Sequence, residues 1–387
     1  MNKKQSILYI NYAPYGNSGN ILTYMRETFQ TVIYIEFIFH HLGKTQTAIY
    51  HYKNGSLIKV EPILQIPMPS KFVFIALPIR SCINFLQIIY HAIRLQKTYH
   101  IFDMFFSVNA FISWCGNILK KIGVVRKTIF WVWDYYPPVH KNKTIMLMRA
   151  IYWQFDKIAM TSDNVVFVNN RLIKLRQNIH VLPKDGHAYP VVGIGTTAST
   201  IIKKPSKPIV FAFYGAIKKS QGLDFMFDHS EEIMKTIPKC SLHIIGSGLD
   251  ETYFRAKAKN SSLPCTFYGY IQDAAAVSDI LSSCTIGIAL YKPEIDNVSY
   301  FGDPAKIKAY ISQGLPVIAT DIFEFSKELQ QWKAGIVIRY NNIEDFKNAV
   351  KTVQKNFEEF SSNAHTLARQ YHFASIYKRL FFFPTDE

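Results

Sequence analysis

Residues 301–321, FGDPAKIKAYISQGLPVIATD, gather groups suited to holding an anion. Asp303 has the side chain of a helix N-cap, and Pro304 suits the first helical position. Ile307, Tyr310 and Ile311 recur at helical spacing as a buried stripe; Gly314 can end the helix, and Pro316 prevents its continuation. Such a helix start presents unpaired N–H groups and roughly half a positive charge. Lys306 lies in the first turn, where a cation opposes the helix dipole, and an anionic partner, above all a phosphate, explains it. A solvated lysine with its stem packed down is the plain alternative. The anion reading expects Pro304 and Lys306 to face open space and not to lie under packed side chains.

A second group of candidates lies in the first half. Asp134, in WVWDYYPP, stands where an apolar strand emerges. A carboxylate there can orient or deprotonate an acceptor hydroxyl. Trp131, Trp133, Tyr135 and Tyr136 offer apolar faces for sugar rings or a lipid. Residues 12–20, YAPYGNSGN, read as a glycine turn in which Gly16 and Gly19 permit close backbone approach. The turn is not G-x-G-x-x-G, and Glu36 lies inside the strand YIEFI instead of at the ribose-binding place after it, so nicotinamide binding is poorly supported. His187, in PKDGHAYP, is a candidate near the end of the first half. A capping Asp, core aromatics and a plain connecting turn are the alternatives for these segments. His40 and His41 lack the spacing of a metal site on a helix, and neither H-E-x-x-H nor a cysteine cluster occurs, so no required metal is expected.

These residues need elements to position them. SILYINYA, TVIYIEFI, YHIFDMFFS, KTIFWVWD and NVVFVNN read as apolar strands separated by helical stretches, which indicates a parallel sheet covered on both faces. The pattern lapses over 183–208, where Pro, Gly, Ser, Thr and Lys dominate as in a linker. A second alternating series follows. With 387 residues the chain is too long for one ordinary core. The expected fold is α/β: two Rossmann-like, doubly wound parallel-sheet domains, 1–200 and 201–370, facing across a cleft, with 371–387 as a last apolar helix. Ligands of such units bind at the carboxyl ends of the strands.

Charge divides the chain unequally. Residues 1–200 hold 22 Lys and Arg against 8 Asp and Glu, whereas 201–387 hold 22 against 20. The first half should therefore face nucleic acid, anionic lipid or a phosphorylated substrate. Neither helix-turn-helix nor RNA-recognition signatures occur, which disfavours nucleic acid. Five cysteines without a C-x-x-C pair suit reduced thiols of a cytosolic protein. The N-terminal segment MNKKQSILYINYAPYG superficially resembles a signal peptide, but it reads as a first buried strand. Residues 72–93 come nearest to a membrane span, but Pro78 and Arg80 interrupt them. A helix over 79–96 is expected, either a core helix or one dipping into a membrane surface.

DPAKIKAYISQGLPVIATD, with FYGAIKKSQGLD, LHIIGSG, FYGYIQD and IGIALY upstream, resembles the C-terminal half of a GT-B glycosyltransferase. The likeness is to the family-4-type, group 1 enzymes that extend bacterial surface polysaccharides. It covers about residues 208–325; the first half matches in pattern only. It implies that Gly215, Gly246, the loop Ser299 to Gly302, Asp303, Pro304 and Lys306 hold the diphosphate and sugar of a nucleotide-sugar. Tyr270, Ile271 and Gln272 would lie against the base. Ala216 stands where the family often has an arginine, and Lys218 and Lys219 can substitute. The family's two glutamates, eight residues apart, fall at Phe301 and Ala309, so either Glu294, Asp296 or Asp303 compensates, the ribose is held differently, or activity is lost.

The resemblance further implies transfer of a sugar, without cofactor or metal, to a hydroxyl of a lipid-linked or oligosaccharide acceptor, with retention of configuration. Lys306 would serve the leaving diphosphate, and Asp134 the acceptor beside Gly16, Gly19, Tyr135 and His187. The last helix would pack back on the first domain. A lipid-diphosphate acceptor at an anionic membrane face gives the basic first half a meaning, with KKIGVVRK and the 79–96 helix as contacts. The protein would then be cytoplasmic and peripheral at the inner face of the cell membrane. A catalytically silent GT-B-like subunit that binds a glycan or partner is the alternative, and a nucleic-acid-binding protein a weaker one.

Overall fold

The computed structural model describes residues 5–12, 16–37, 47–64, 73–184, 188–198, 208–294 and 298–382. The chain forms two compact units: unit 1 is Met1–Gly193 with Tyr377–Glu387, and unit 2 is Ile194–Ile376.

Unit 1 is built on β1 (Ser6–Asn11), β2 (Thr31–Glu36), β3 (Ala48–Lys53), β4 (Ser56–Pro62), β5 (Phe102–Ser107), β6 (Val125–Val132) and β7 (Asn164–Phe167). Among the described residues these make one sheet in the order β4-β3-β2-β1-β5-β6-β7. The strands β2, β1, β5, β6 and β7 are parallel, and β3 and β4 add an antiparallel hairpin at one edge. The hairpin was not anticipated. Its signal is Asn54-Gly55, both with positive φ (51° and 87°), which is the two-residue turn that matches strand twist.

Side chains alternate between the faces of this sheet. Leu8, Ile10, Ile33, Ile35 and Phe105 pack under α2 (Val73–Tyr99), α3 (Ala110–Lys121) and α4 (Lys143–Ala159), with α1 (Ile21–Thr28) lying after β1 and α5 (Asn170–Asn178) after β7. α2 starts six residues before the expected helix and runs through Pro78, which withholds one intrahelical hydrogen bond in its second turn. Phe85, Trp114 and Phe155 form a ring contact joining α2, α3 and α4, with centroids 5.0 and 5.2 Å apart. On the opposite face, Phe106 and Trp131 meet residues of the chain's end. Tyr377 packs on Trp131 at 5.4 Å, Phe381 packs on Phe106 at 5.3 Å, and Tyr377 donates a hydrogen bond to the Gly19 carbonyl at 2.7 Å.

Unit 2 contains β8 (Val210–Tyr214), β9 (Ser241–Ile245), β10 (Cys265–Gly269), β11 (Ile286–Ala289), β12 (Val317–Thr320) and β13 (Gly335–Ile338). All pair in parallel, in the doubly wound order β10-β9-β8-β11-β12-β13. The intervening helices are α6 (Asp224–Asp228), α7 (Ser230–Thr236), α8 (Glu251–Lys259), α9 (Ala274–Ser283), α10 (Ala305–Ser312) and α11 (Phe325–Gln331). Then come α12 (Ile343–Lys355), α13 (Phe357–Gln370) and α14 (Phe373–Ile376). Phe211, Phe213 and Ile288 point to the layer containing α12, whereas Ala212, Ala289 and Ala319 face α10 and α13. Small residues on the second side let Tyr310, Ile311 and Leu367 approach the sheet closely.

Candidate functional site

In unit 2 the strand order reverses between β8 and β11, the place where parallel α/β sheets open a ligand crevice at their carboxyl ends. Tyr310 bridges this divide. Its hydroxyl accepts from the Tyr214 N–H at 2.8 Å and donates to the Ile288 carbonyl at 3.1 Å, so one buried phenol satisfies backbone groups of both diverging strands. Glycines end the three strands on one side: Gly215 (φ 122°), Gly246 (φ 132°) and Gly269 (φ 71°). A Cβ on Gly246 would fall 2.0 Å from the Gly215 carbonyl oxygen, so the two chain ends touch through backbone.

α10 rises at the same place, with corrections to the expected start. Pro304, not Asp303, is the N-cap, and Ala305 is the first helical residue. The Asp303 carboxylate makes no cap hydrogen bond, because it is drawn to Lys308 Nζ and the Ile194 N–H, both at 2.5 Å. Pro304 is buried, and Lys306 is 6 % exposed. Both thus lie under packed side chains, contrary to the open helix start that the anion reading expected, and Lys306 is not the solvated cation of the plain alternative either. Its side chain crosses beneath Gly215, places Nζ 3.9 Å from the Phe213 ring centre and 4.8 Å from that of Tyr291, and donates to Gln221 Oε1 at 2.9 Å. Phe213 belongs to β8 and Tyr291 follows β11, so the amine sits at the switch point itself. Burial pulls it down to about 7.

The remaining expected donor residues surround this point unevenly. Lys218 and Lys219 are exposed on the loop after β8, and Lys219 Nζ lies 4.2 Å over the Tyr253 ring. Ser299 lies within a single turn, Val298–Tyr300, and the Gly302 N–H just beyond it donates to the Ser299 carbonyl. Tyr270 and Gln272 are exposed after β10, while Ile271 packs against the α10 layer. Ala309 packs into that same layer, and Phe301 is half-buried, so neither glutamate position has a carboxylate. Glu294 is exposed, Asp303 is committed to Lys308, and Asp296 lies outside the described residues.

In unit 1, Gly16 and Gly19 follow β1, and Asp134 follows β6, at the carboxyl ends of parallel strands. A Cβ on Gly16 would clash with the Tyr34 hydroxyl, and Tyr9 donates to the Gly16 carbonyl at 2.9 Å. Asp134 is half-buried, 3.5 Å from the Tyr136 hydroxyl, and this negative charge is the main reason that phenol is pushed well above its usual range. Tyr135 is buried against Trp153 at 4.7 Å. The backbone at Asp134 is pinned by Arg176, which donates to its carbonyl at 3.4 Å and pairs with buried Asp156 at 2.8 Å. His187 lies outside the described residues. Gln221, Tyr291, Asp156 and Arg176 were not anticipated, because a polar residue within a helical or loop stretch carries no periodic mark of burial, and Tyr310 was expected only as part of the buried stripe of α10. Among the described residues, no three His, Cys, Asp or Glu side chains gather as metal ligands do.

Two doubly wound sheets in one chain, the second with glycine strand ends and a lysine at its switch point, define a GT-B architecture. Residues 208–356 match the family described as Glycosyl transferases group 1, within a chain of the GT-B fold. Similar solved structures span nearly the whole length. Sucrose-phosphate synthase from Thermosynechococcus elongatus is 13 % identical, with TM-score 0.68 over 96 % of each chain. HepE of Anabaena, solved with UDP, is 14 % identical, with TM-score 0.62 over 97 % of this chain and 98 % of that one. The lipopolysaccharide outer core galactosyltransferase WaaB is 14 % identical, with TM-score 0.56 over 97 % of each. A comparison with curated proteins finds no match.

Proposed function

We propose that unit 2 holds the diphosphate of a nucleotide-sugar at the β8–β11 switch point and that unit 1 holds the acceptor whose hydroxyl receives the sugar. The observation that carries this reading is the buried Lys306 amine between Phe213 and Tyr291, inside the segment that matches group 1 glycosyl transferases. In the reaction the bond between the sugar's anomeric carbon and the diphosphate oxygen breaks, and the acceptor oxygen bonds to that carbon. Negative charge grows on the leaving diphosphate, where a preorganised cation does most good. Lys306, the start of α10, and Lys218 or Lys219 meet that charge. Gly215 and Gly246 let the phosphates approach backbone, and Tyr270, Ile271 and Gln272 face the base. The HepE structure with UDP is in keeping with such a donor.

Asp134 orients or deprotonates the acceptor hydroxyl, beside Tyr135 and the Gly16–Gly19 turn. Retention of configuration and metal independence complete the proposal. The acceptor is a lipid-linked glycan at an anionic membrane face. Supporting this, α2 and α4 touch and both carry outward apolar stripes: Ile79, Leu86 and Tyr90 are each 64 % exposed, and Leu147 is 60 % exposed with Ile151 below it. Lys141, Lys143 and Lys157 are exposed along the α4 side, and Lys120 and Lys121 end α3. Each basic residue near an anionic surface contributes about 1 kcal/mol, so four to six give roughly 4–6 kcal/mol, a reversible attachment at the inner face of the cell membrane. Among the described residues, no helix is long and apolar enough to cross a membrane.

Incubation with UDP-, GDP-, ADP- and dTDP-sugars tests the reading. Release of nucleoside diphosphate from one of them, lost in Lys306→Ala, is expected. Binding without release in any condition would instead mark a silent glycan-binding subunit, a role that Ala309 and Phe301 in place of carboxylates would then explain.

A further inference from the structure

We propose that Lys306 is only partly protonated near neutral pH while the donor site is empty and takes up the remainder of a proton as the diphosphate binds, so that donor binding and protonation are a single linked step. This rests on the donor reading above.

The contrast within α10 supports it. Lys308 is wholly buried and carries its counter-charge with it, Asp303 at 2.5 Å, plus the Ile194 carbonyl at 2.8 Å. Lys306 is 6 % exposed and has a neutral amide for its hydrogen bond, Gln221 Oε1. The elements packed against it offer Phe213 from β8, Gln221 from the following loop and Tyr291 from the end of β11. Among the described residues, Tyr291 is the titratable group facing it, with its ring. Among the described carboxylates, Asp303 is engaged with Lys308, and Asp224, at the start of α6, with Lys257 and Lys292. An ammonium buried without a counter-ion is costly, and the usual outcome is loss of the proton. Burial is what brings this amine down to about 7, against two ring faces that favour the charged form. A diphosphate brings the missing counter-charge to the same point. The proton then returns, and the site gains its cation when the leaving group needs it.

Calorimetry with UDP-, GDP-, ADP- and dTDP-glucose, in buffers of low and high ionisation enthalpy, reads the proton count. Nucleotide-sugars serve better than free nucleoside diphosphates, whose terminal phosphate itself titrates near neutrality. For the nucleotide-sugar that binds, uptake of about half a proton at pH 7 and nearly one at pH 8.5 is expected, with affinity falling about tenfold from pH 6 to pH 8. Lys306→Met should bind more weakly and take up no proton. Binding without proton uptake overturns the proposal and leaves the donor reading standing, as does uptake that persists in Lys306→Met. Failure of all four nucleotide-sugars to bind overturns both. NMR of lysine labelled at Cε in the wild-type, ligand-free protein gives a readout that needs no variant: Lys306 should titrate near neutrality, and an ammonium that persists above about pH 9 contradicts the proposal.

Discussion

Lys306 and Lys308 lie two residues apart on α10, both buried, and they satisfy burial in opposite ways: Lys308 is paired with Asp303 at 2.5 Å, whereas Lys306 meets an amide and two rings. Truncating Lys308 strands the Asp303 carboxylate inside the unit. Lys308→Met should therefore lose about 3–5 kcal/mol at neutral pH, read by urea unfolding. A loss below about 1 kcal/mol would show that the pair is solvated and dispensable.

Lys306→Met should behave differently, and its effect should depend on pH. The folded-state value of Lys306 is about 7, below the unfolded value of about 10.4, so the unfolded chain binds more protons between the two. In the empty protein the cost of this group is complete below about pH 7 and shrinks as pH rises, by at most about 1.4 kcal/mol per unit. Urea unfolding at pH 6, 7.5 and 9 should show Lys306→Met more stable than the wild type at pH 6, with the gap closing toward pH 9. A gap that does not change with pH would place the ammonium in water.

Gly246→Ala should damage unit 2 without touching a side chain. Its φ of 132° is foreign to alanine, and the new Cβ would lie 2.0 Å from the Gly215 carbonyl oxygen. A loss of more than about 2 kcal/mol is expected, since both strain and backbone displacement contribute. Unfolding within about 0.5 kcal/mol of the wild type would mean that the ends of β8 and β9 are free to part.

How much of this was legible differs residue by residue. Strand–helix alternation marked both sheets because buried parallel strands are continuous apolar runs, such as KTIFWVWD for β6 and IVFAFYG for β8. Gly314 does sit in the left-handed region at the end of α10, with φ 68°. Asp303 misled, because a cap preference is worth only about 1 kcal/mol and a buried ammonium five residues on outbids it. The burial of Lys306 was hidden, since lysine is almost never fully buried and its pattern in sequence reads as surface. The β3–β4 hairpin was hidden despite Asn54-Gly55, because β4 is an exposed edge strand whose residues, Leu57 to Val60 among them, do not form the continuous apolar run of a buried parallel strand.

Asp134→Asn separates the acceptor from the donor. Removing a general base or orienting carboxylate should cut sugar transfer by at least about 100-fold. Hydrolysis of the donor by water, which needs unit 2, should change by less than about threefold, and the fold should persist because Arg176 holds the backbone carbonyl at position 134, not the carboxylate. Equal loss of transfer and hydrolysis would remove Asp134 from the acceptor side.

Membrane attachment is tested by flotation with vesicles of anionic and of zwitterionic lipid. The wild type should float with the anionic ones and be released by salt, as a charge-dependent attachment is. Tyr90→Glu combined with Ile151→Glu, both at exposed sites, should abolish flotation while leaving hydrolysis of the nucleotide-sugar intact. Flotation unchanged by this pair would move the contact away from α2 and α4.

A crystal structure with the nucleotide-sugar that binds best would show where the diphosphate goes. It should lie at the carboxyl ends of β8 and β9, beside Gly215 and Gly246, within hydrogen-bonding distance of Lys306 Nζ. A diphosphate bound elsewhere, with Lys306 still covered by Phe213 and Tyr291 and bonded to Gln221, would contradict the donor site proposed for this chain.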